Sequence, residues 1–218
     1  MAMLSEEDAE DVREELDAVD EEVTIHLFVP DSCQFCDDTV ELNEEIAELS
    51  EKVVLEQHAF DDEAADEFAV DQYGEEGPVA VITKDGSDGV RYYGIPSGHE
   101  FGSYIADLVA VSTDETDIPD DVAEDVRAID EEVNIKVFVT PTCPYCPQAV
   151  RTAHDFAIEN ENVSADMIEA QEFTSVSQEF GVRGVPQINI NGNAAQFTGA
   201  QPPHQFLEQL QSALGVEA

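Results

Sequence analysis

Residues 18–36, AVDEEVTIHLFVPDSCQFC, reappear as residues 128–146, AIDEEVNIKVFVTPTCPYC, aligned without a gap and identical at ten of nineteen positions. Each copy ends in a Cys-x-x-Cys pair, Cys33/Cys36 and Cys143/Cys146, so the pairs lie 110 residues apart. Both pairs follow an apolar run and open a stretch of helical periodicity, the setting in which such a pair carries redox chemistry. That agreement is too extensive for chance, and the chain reads as one redox unit present twice.

A length of 218 residues suits two domains of about 100 residues each, and the boundary is drawn as 1–115 and 116–218, at the polar stretch STDETDIP (112–119). The outlier is charge: 51 acidic residues stand against 8 basic ones, for a net charge of −43. A nucleic-acid partner is excluded on this ground, because phosphate must be neutralised by Lys and Arg. The acids interleave with apolar positions, as Asp121, Glu124 and Asp125 do with Val122, Val126 and Ile129, which marks a folded surface and not a disordered tail. Self-repulsion at this density costs stability in dilute buffer, and molar salt shortens the Debye length to about 3 Å. The composition therefore predicts a halophilic protein working in a high-salt cytoplasm. The opening MAMLSEEDAE has neither the basic nor the apolar segment of a signal peptide. No apolar run approaches the ~20 residues that span a bilayer, so the expectation is a soluble, cytoplasmic chain with no membrane partner. In a reducing cytosol, Cys-x-x-Cys pairs are more often catalytic or metal-binding than structural.

The predicted elements repeat in order. An acidic amphipathic helix (6–19, then 120–129) leads into an apolar strand (23–29, then 133–139) and then the cysteine pair. The helix opening there runs to about Leu49 in one half and Glu159 in the other. A second strand (52–58 and 164–169) and a short helix (62–73 and 175–180) follow. Next comes a proline turn, Gly77-Pro78 or Val185-Pro186, 45 and 43 residues beyond the first cysteine of its pair. Strands at 79–83 and 90–93, and at 187–191 and 194–197, read as hairpins around Asp85-Gly86 and Asn191-Gly192. Each half closes on a helix, containing Phe101, Ile105 and Leu108 in one and Phe206, Leu210 and Leu214 in the other.

A strand, Cys-x-x-Cys at a helix start, and a proline before a later hairpin resemble the thioredoxin/glutaredoxin fold. The doubled arrangement is similar to the glutaredoxin-like protein disulfide oxidoreductases, most strongly in FVTPTCPYCPQAVRTAHDFAIEN and GVRGVPQI. The resemblance implies an α/β fold of two tandem thioredoxin-like domains, each a mixed central sheet flanked by helices. It also implies cis prolines at Pro78 and Pro186 that hold a substrate strand opposite each cysteine pair, no cofactor, and a flavoprotein disulfide reductase as electron donor. The first half departs from the family in CQFC, which lacks the proline of CPYC, and in Gly77 before its proline. Buried acids that assist proton transfer in thioredoxins have no match at the corresponding strand positions, Leu27 and Val137.

Exchange needs a thiolate, and a helix N-terminus favours one through its unpaired N–H groups and dipole. Cys33 and Cys143 are therefore the candidate nucleophiles and Cys36 and Cys146 the resolving thiols, reducing protein disulfides or, as the alternative within enzymes, oxidising dithiols or isomerising disulfides, in cell redox homeostasis and electron transport. Pro144 and Pro147 are assigned to the first helical turn, where they stiffen the second site. Asp31, Asp37 and Asp38 flank the first pair whereas Thr140–Gln148 hold no charge, so a thiolate forms more readily at Cys143 than at Cys33. Phe35 and Tyr145, inside the motifs, read as rings covering the sulfurs. None of the five histidines, His26, His58, His99, His154 and His204, has metal-ligand spacing, and no metal is expected. A zinc site shared by the four cysteines is disfavoured by the 106 residues between Cys36 and Cys143. The reading from another class is a redox-inert thioredoxin-like scaffold that holds a protein partner or a metal cluster. Intact cysteines in both halves argue against it.

Overall fold

The computed structural model of the chain describes residues 3–84 and 89–215; the expected Asp85-Gly86 turn lies outside them. Helix α1 (Glu6–Leu16) shows how this acidic sequence still makes regular structure. The Ser5 hydroxyl accepts the Asp8 N–H at 3.1 Å and the Asp8 carboxylate accepts the Ser5 N–H at 3.3 Å, a reciprocal cap. Glu6, Glu7 and Asp8 sit at the positive end of the helix dipole. Val12 and Leu16, four residues apart, are the buried face. Burying one such side chain is worth about 1.5–3 kcal/mol, against about 0–1 kcal/mol for an interaction between exposed charges, so the apolar positions fix the helix despite the acids around them.

The remaining elements follow the predicted order. The first half holds β1 (Val23–Phe28), α2 (Cys36–Leu49), β2 (Val53–His58), α3 (Glu63–Glu67), a 3-10 turn (Val70–Tyr73), β3 (Val79–Thr83), β4 (Val90–Tyr93) and α4 (Glu100–Thr113). The second holds α5 (Asp120–Arg127), β5 (Val133–Val139), α6 (Cys146–Glu159), β6 (Val163–Glu169), α7 (Thr174–Glu179), β7 (Gln187–Ile190), β8 (Ala195–Thr198) and α8 (Pro203–Leu214).

The strands form one eight-stranded sheet in the order β2-β1-β3-β4-β6-β5-β7-β8. In each half the first two strands run parallel, β3 and β7 run antiparallel to the first strand, and β4 and β8 run antiparallel to β3 and β7 in turn. The two halves meet by parallel pairing of β4 with β6, Arg91 opposite Asp166 and Tyr93 opposite Ile168. The amphipathic helices cover one face in a continuous apolar core that includes Leu16, Ile25, Leu27, Ile46, Tyr104, Val137, Phe156 and Phe206. On the other face Phe28, Val79, Val81, Tyr93, Phe138 and Ile168 pack against Phe68, Tyr73, Phe173 and Val176.

Buried charge concentrates where the halves join. Asp166, fully buried, accepts the Tyr73 hydroxyl at 2.5 Å, Asn134 Nδ2 at 3.0 Å and Arg91 Nη1 at 3.3 Å. On the helical face, Asp107 of α4 accepts hydrogen bonds from Tyr92 of β4 and from Arg151 of α6, and its Oδ2 lies 2.5 Å from Nδ1 of His154 in the same helix as Arg151. A buried carboxylate is tolerated only with such partners, and here the partners come from both halves.

Candidate active site

Each Cys-x-x-Cys sits in the loop leaving the C-terminal end of the first strand of its half, and in each the two sulfurs are joined as a disulfide. The Cα separations are 5.3 Å at Cys33–Cys36 and 5.5 Å at Cys143–Cys146. With every sulfur engaged inside its own pair, nothing in the arrangement gathers the four cysteines into one metal site. The helices begin at the second cysteine, Cys36 and Cys146, and not at the first; Cys33 and Cys143 occupy the preceding turn. Pro144 is likewise in that turn, an exposed residue before the helix, while Pro147 alone lies in the first turn of α6. The second sulfur is the more enclosed in each case: Cys36 is buried behind half-exposed Cys33, and Cys146 is 0% exposed behind Cys143 at 7%.

The flanking rings differ from each other: Tyr145 is 68% exposed, whereas Phe35 packs half-buried against the main core. The loop approaches this way because Cys143 N–H donates to Thr140 O at 3.0 Å, tightening the turn and projecting Pro144-Tyr145 outward.

Pairing of Phe138 with Gln187 brings Pro186 level with the end of β5, where the CPYC loop departs; pairing of Phe28 with Val79 does the same for Pro78 at the end of β1. The carbonyls of both prolines accept an N–H from the glycine ending the hairpin, Gly94 at 2.8 Å and Gly199 at 2.9 Å, so they hold equivalent places. Val185–Pro186 is cis as expected, but Gly77–Pro78 is trans, correcting the expectation for the first half. The trans form is intrinsically favoured by about 0.5–1 kcal/mol. The local surroundings also differ: Gly77 is pressed against the Phe173 ring of the second half, where a Cβ would stand 2.9 Å from a ring carbon.

Two features of the second site are not legible in the spacing of its motif. Its loop is buttressed by the first half: His99 N–H donates to Pro141 O at 3.0 Å, and Gly98, at φ +62°, lies so close that a Cβ would come within 2.3 Å of that oxygen. His99 thus acts through its backbone at the start of α4. In addition, Glu169 pairs with Val139 in the sheet, and Glu172 accepts the Ile95 N–H at 2.8 Å, which sets two half-to-fully buried carboxyls beside the strand end that carries the loop. Burial pushes Glu172 up to about 7, with Glu169 adding to the rise and the Ile95 bond opposing it. An acid at the end of the strand, following Met167-Ile168, is the one sequence signal for this pair.

The spacing of the histidines gives no cluster, and the fold overturns that expectation for two of them: His26 and His58, on adjacent strands, bring ring nitrogens to 3.2 Å from each other beside Glu56. Spacing along the chain could not show it, because they are 32 residues apart.

Comparison with known proteins agrees with this geometry. Residues 133–212 match the thioredoxin domain family. The crystal structure of a protein disulfide oxidoreductase from Aeropyrum pernix superposes with a TM-score of 0.85 at 30% identity, over 98% of this chain and 95% of that one. The structure of the alkyl hydroperoxide reductase AhpF from Enterococcus faecalis gives a TM-score of 0.85 at 25% identity, covering 95% of this chain and 99% of that one. A Bacillus subtilis protein described as NADH dehydrogenase is 26% identical over 157 residues, 72% of this chain; the chain spans 28% of that relative's length. Two disulfide-forming Cys-x-x-Cys pairs, each on a thioredoxin fold, carry thiol–disulfide exchange, and the chain belongs to the protein disulfide oxidoreductase family.

Proposed function

We propose that Cys33 and Cys143 are the attacking thiols, that Cys36 and Cys146 resolve the mixed disulfides they form, and that residues 1–115 and 116–218 are two redox domains with separate sites. The carrying observation is the order of burial within each pair, with the second sulfur the more enclosed of the two. In the reducing direction, a Cys143 thiolate attacks one sulfur of a client disulfide and a mixed disulfide forms, releasing the client's other sulfur as thiolate, which takes a proton. Cys146 then attacks Cys143, closing the disulfide of the resting site and freeing the second client thiol. Two electrons pass from the enzyme pair to the client; run backward, the steps oxidise a dithiol.

Exposed Tyr145 and the backbone beside Pro186, and by repeat Pro78, are the surface on which an extended client segment is held. The electron donor is a flavoprotein disulfide reductase, as the family resemblance implies. The matches to proteins named NADH dehydrogenase and alkyl hydroperoxide reductase, of which this chain covers about three-tenths, favour such a coupling. The test is trapping: Cys36→Ser and Cys146→Ser accumulate mixed disulfides with client proteins, through Cys33 and Cys143 respectively, which reductant releases. Failure of both variants to trap any client favours the inert scaffold.

The protein is further assigned to a saline cytoplasm on its net charge of −43; among the described residues no helix is long and apolar enough to cross a membrane. Its melting temperature rises steeply from dilute buffer to molar KCl as carboxylate repulsion is screened. A melting temperature independent of salt contradicts this assignment.

A further inference from the structure

We propose that His26, Glu56 and His58 form a binding site for a divalent cation of the Zn²⁺ class in the first half. His26 on β1 is the register partner of Glu56 on β2, and His58 lies two residues beyond Glu56, so all three side chains leave the same face of the sheet. The separations are 3.2 Å from His26 Nδ1 to His58 Nε2, 3.4 Å from His26 Nδ1 to Glu56 Oε2 and 3.8 Å from His58 Nε2 to Glu56 Oε2. Tetrahedral zinc with bonds of about 2.0–2.1 Å places its ligand atoms roughly 3.3–3.4 Å apart. Two of the three separations stand near that value, and the third, from His58 to half-exposed Glu56, closes by a small turn of the Glu56 side chain.

The outer shell has the matching form. A ligating imidazole characteristically offers its other nitrogen to an oxygen that fixes the ring. His26 Nε2 lies 3.2 Å from Thr83 Oγ1, and His58 Nδ1 lies 3.9 Å from Asp62 Oδ2. The rings are also held by stacking, His26 on Phe68 with centroids 4.7 Å apart and His58 on Phe28 at 4.9 Å. Glu56 is 53% exposed, which gives the ion an entry from solvent and a water for its fourth position.

The internal repeat supplies an independent argument. Residues 26 and 56, carried forward by 110, become Lys136 and Asp166, which are register partners in β5–β6 as His26 and Glu56 are in β1–β2. In the second half the acid at this place is answered by side-chain cations, Arg91 at 3.3 Å with Lys136 beside it in the sheet. In the first half no lysine or arginine pairs with Glu56 among the described residues, and imidazoles stand instead. Two imidazoles and a carboxylate select a borderline transition ion over Mg²⁺ or Ca²⁺. Bound there, the ion ties β2, an outermost strand of the sheet, to β1.

The test uses the full chain with both disulfides formed, so that no thiol competes, in molar KCl with excess Mg²⁺ to occupy surface carboxylates. Zn²⁺ titration against a competing chelator gives one site per chain, Co²⁺ gives the visible absorption of a four-coordinate ion, and Zn²⁺ raises the melting temperature. Glu56→Gln and His58→Gln each weaken Zn²⁺ binding by at least about tenfold, whereas Glu48→Gln, an exposed carboxylate on α2, leaves it unchanged. Absence of a saturable single site, or equal affinity in Glu56→Gln, overturns the proposal and leaves a hydrogen-bonded histidine pair. Glu56→Gln decides the matter if the histidine variants fail to fold, because its half-exposed side chain is not part of the core.

Discussion

Cys143→Ser lowers the rate of insulin reduction at neutral pH by at least about tenfold, while Cys33→Ser lowers it by less than about twofold. Only thiolate attacks a disulfide, and each unit by which an attacking thiol's pKa is lowered toward neutrality raises its thiolate share about tenfold. The first turn of α2 carries Asp37 and Asp38, both exposed and both opposing an anion; the first turn of α6 carries no acid, and Thr140–Gln148 hold no charged side chain. The CPYC loop is also fixed from below by the His99–Pro141 hydrogen bond and the approach of Gly98, contacts drawn from the first half, so the attacking sulfur is better positioned. Cys33 is the more exposed of the two first cysteines, and access alone favours it. Electrostatics and positioning are expected to outweigh access, because both thiols lie in surface loops. Equal losses in the two variants refute the assignment of reductase work to the second site. Rapid alkylation of the reduced protein gives the same ranking without a substrate, with Cys143 modified before Cys33.

Asp107→Ala destabilises the protein by about 3–5 kcal/mol, because it strands buried partners in both halves. At roughly 2–4 °C per kcal/mol for a chain of this size, the melting temperature falls by about 10 °C. Asp117→Ala, which removes an 89% exposed partner of Arg151, costs under about 1 kcal/mol and serves as the control. Burial by itself pushes the Asp107 carboxyl up, but His154, then Arg151 and the Tyr92 hydroxyl, outweigh burial and hold it below the ordinary value of 3.8. A group depressed on folding contributes stability above its unfolded pKa and loses it as pH falls through the folded value. The wild type therefore unfolds on acidification below about pH 4 with a steeper dependence than Asp107→Ala. Denaturant midpoints at several pH values check both statements, and a loss no larger than that of Asp117→Ala overturns the role given to this network.

The duplicated unit, the element order and the place of each cysteine pair were legible because they rest on local physics. Strand runs such as Val133–Val139 are largely apolar, the helices announce themselves by a buried stripe like Val12 and Leu16, and a Cys-x-x-Cys pair ties its two sulfurs within one turn whatever surrounds it. Interactions between residues remote in sequence were decided by the tertiary structure alone. Pairing of Arg91 with Asp166 fuses two sheets into one, the backbone of Gly98 and His99 supports a loop at Pro141 in the other half, and Gly77 meets Phe173 across the same junction. His26, Glu56 and His58 show the division most plainly. Alternation along β2 puts Glu56 and His58 on one face, but only the parallel register with β1 brings His26 to them, and register is set by the hydrophobic cores on both sides of the sheet.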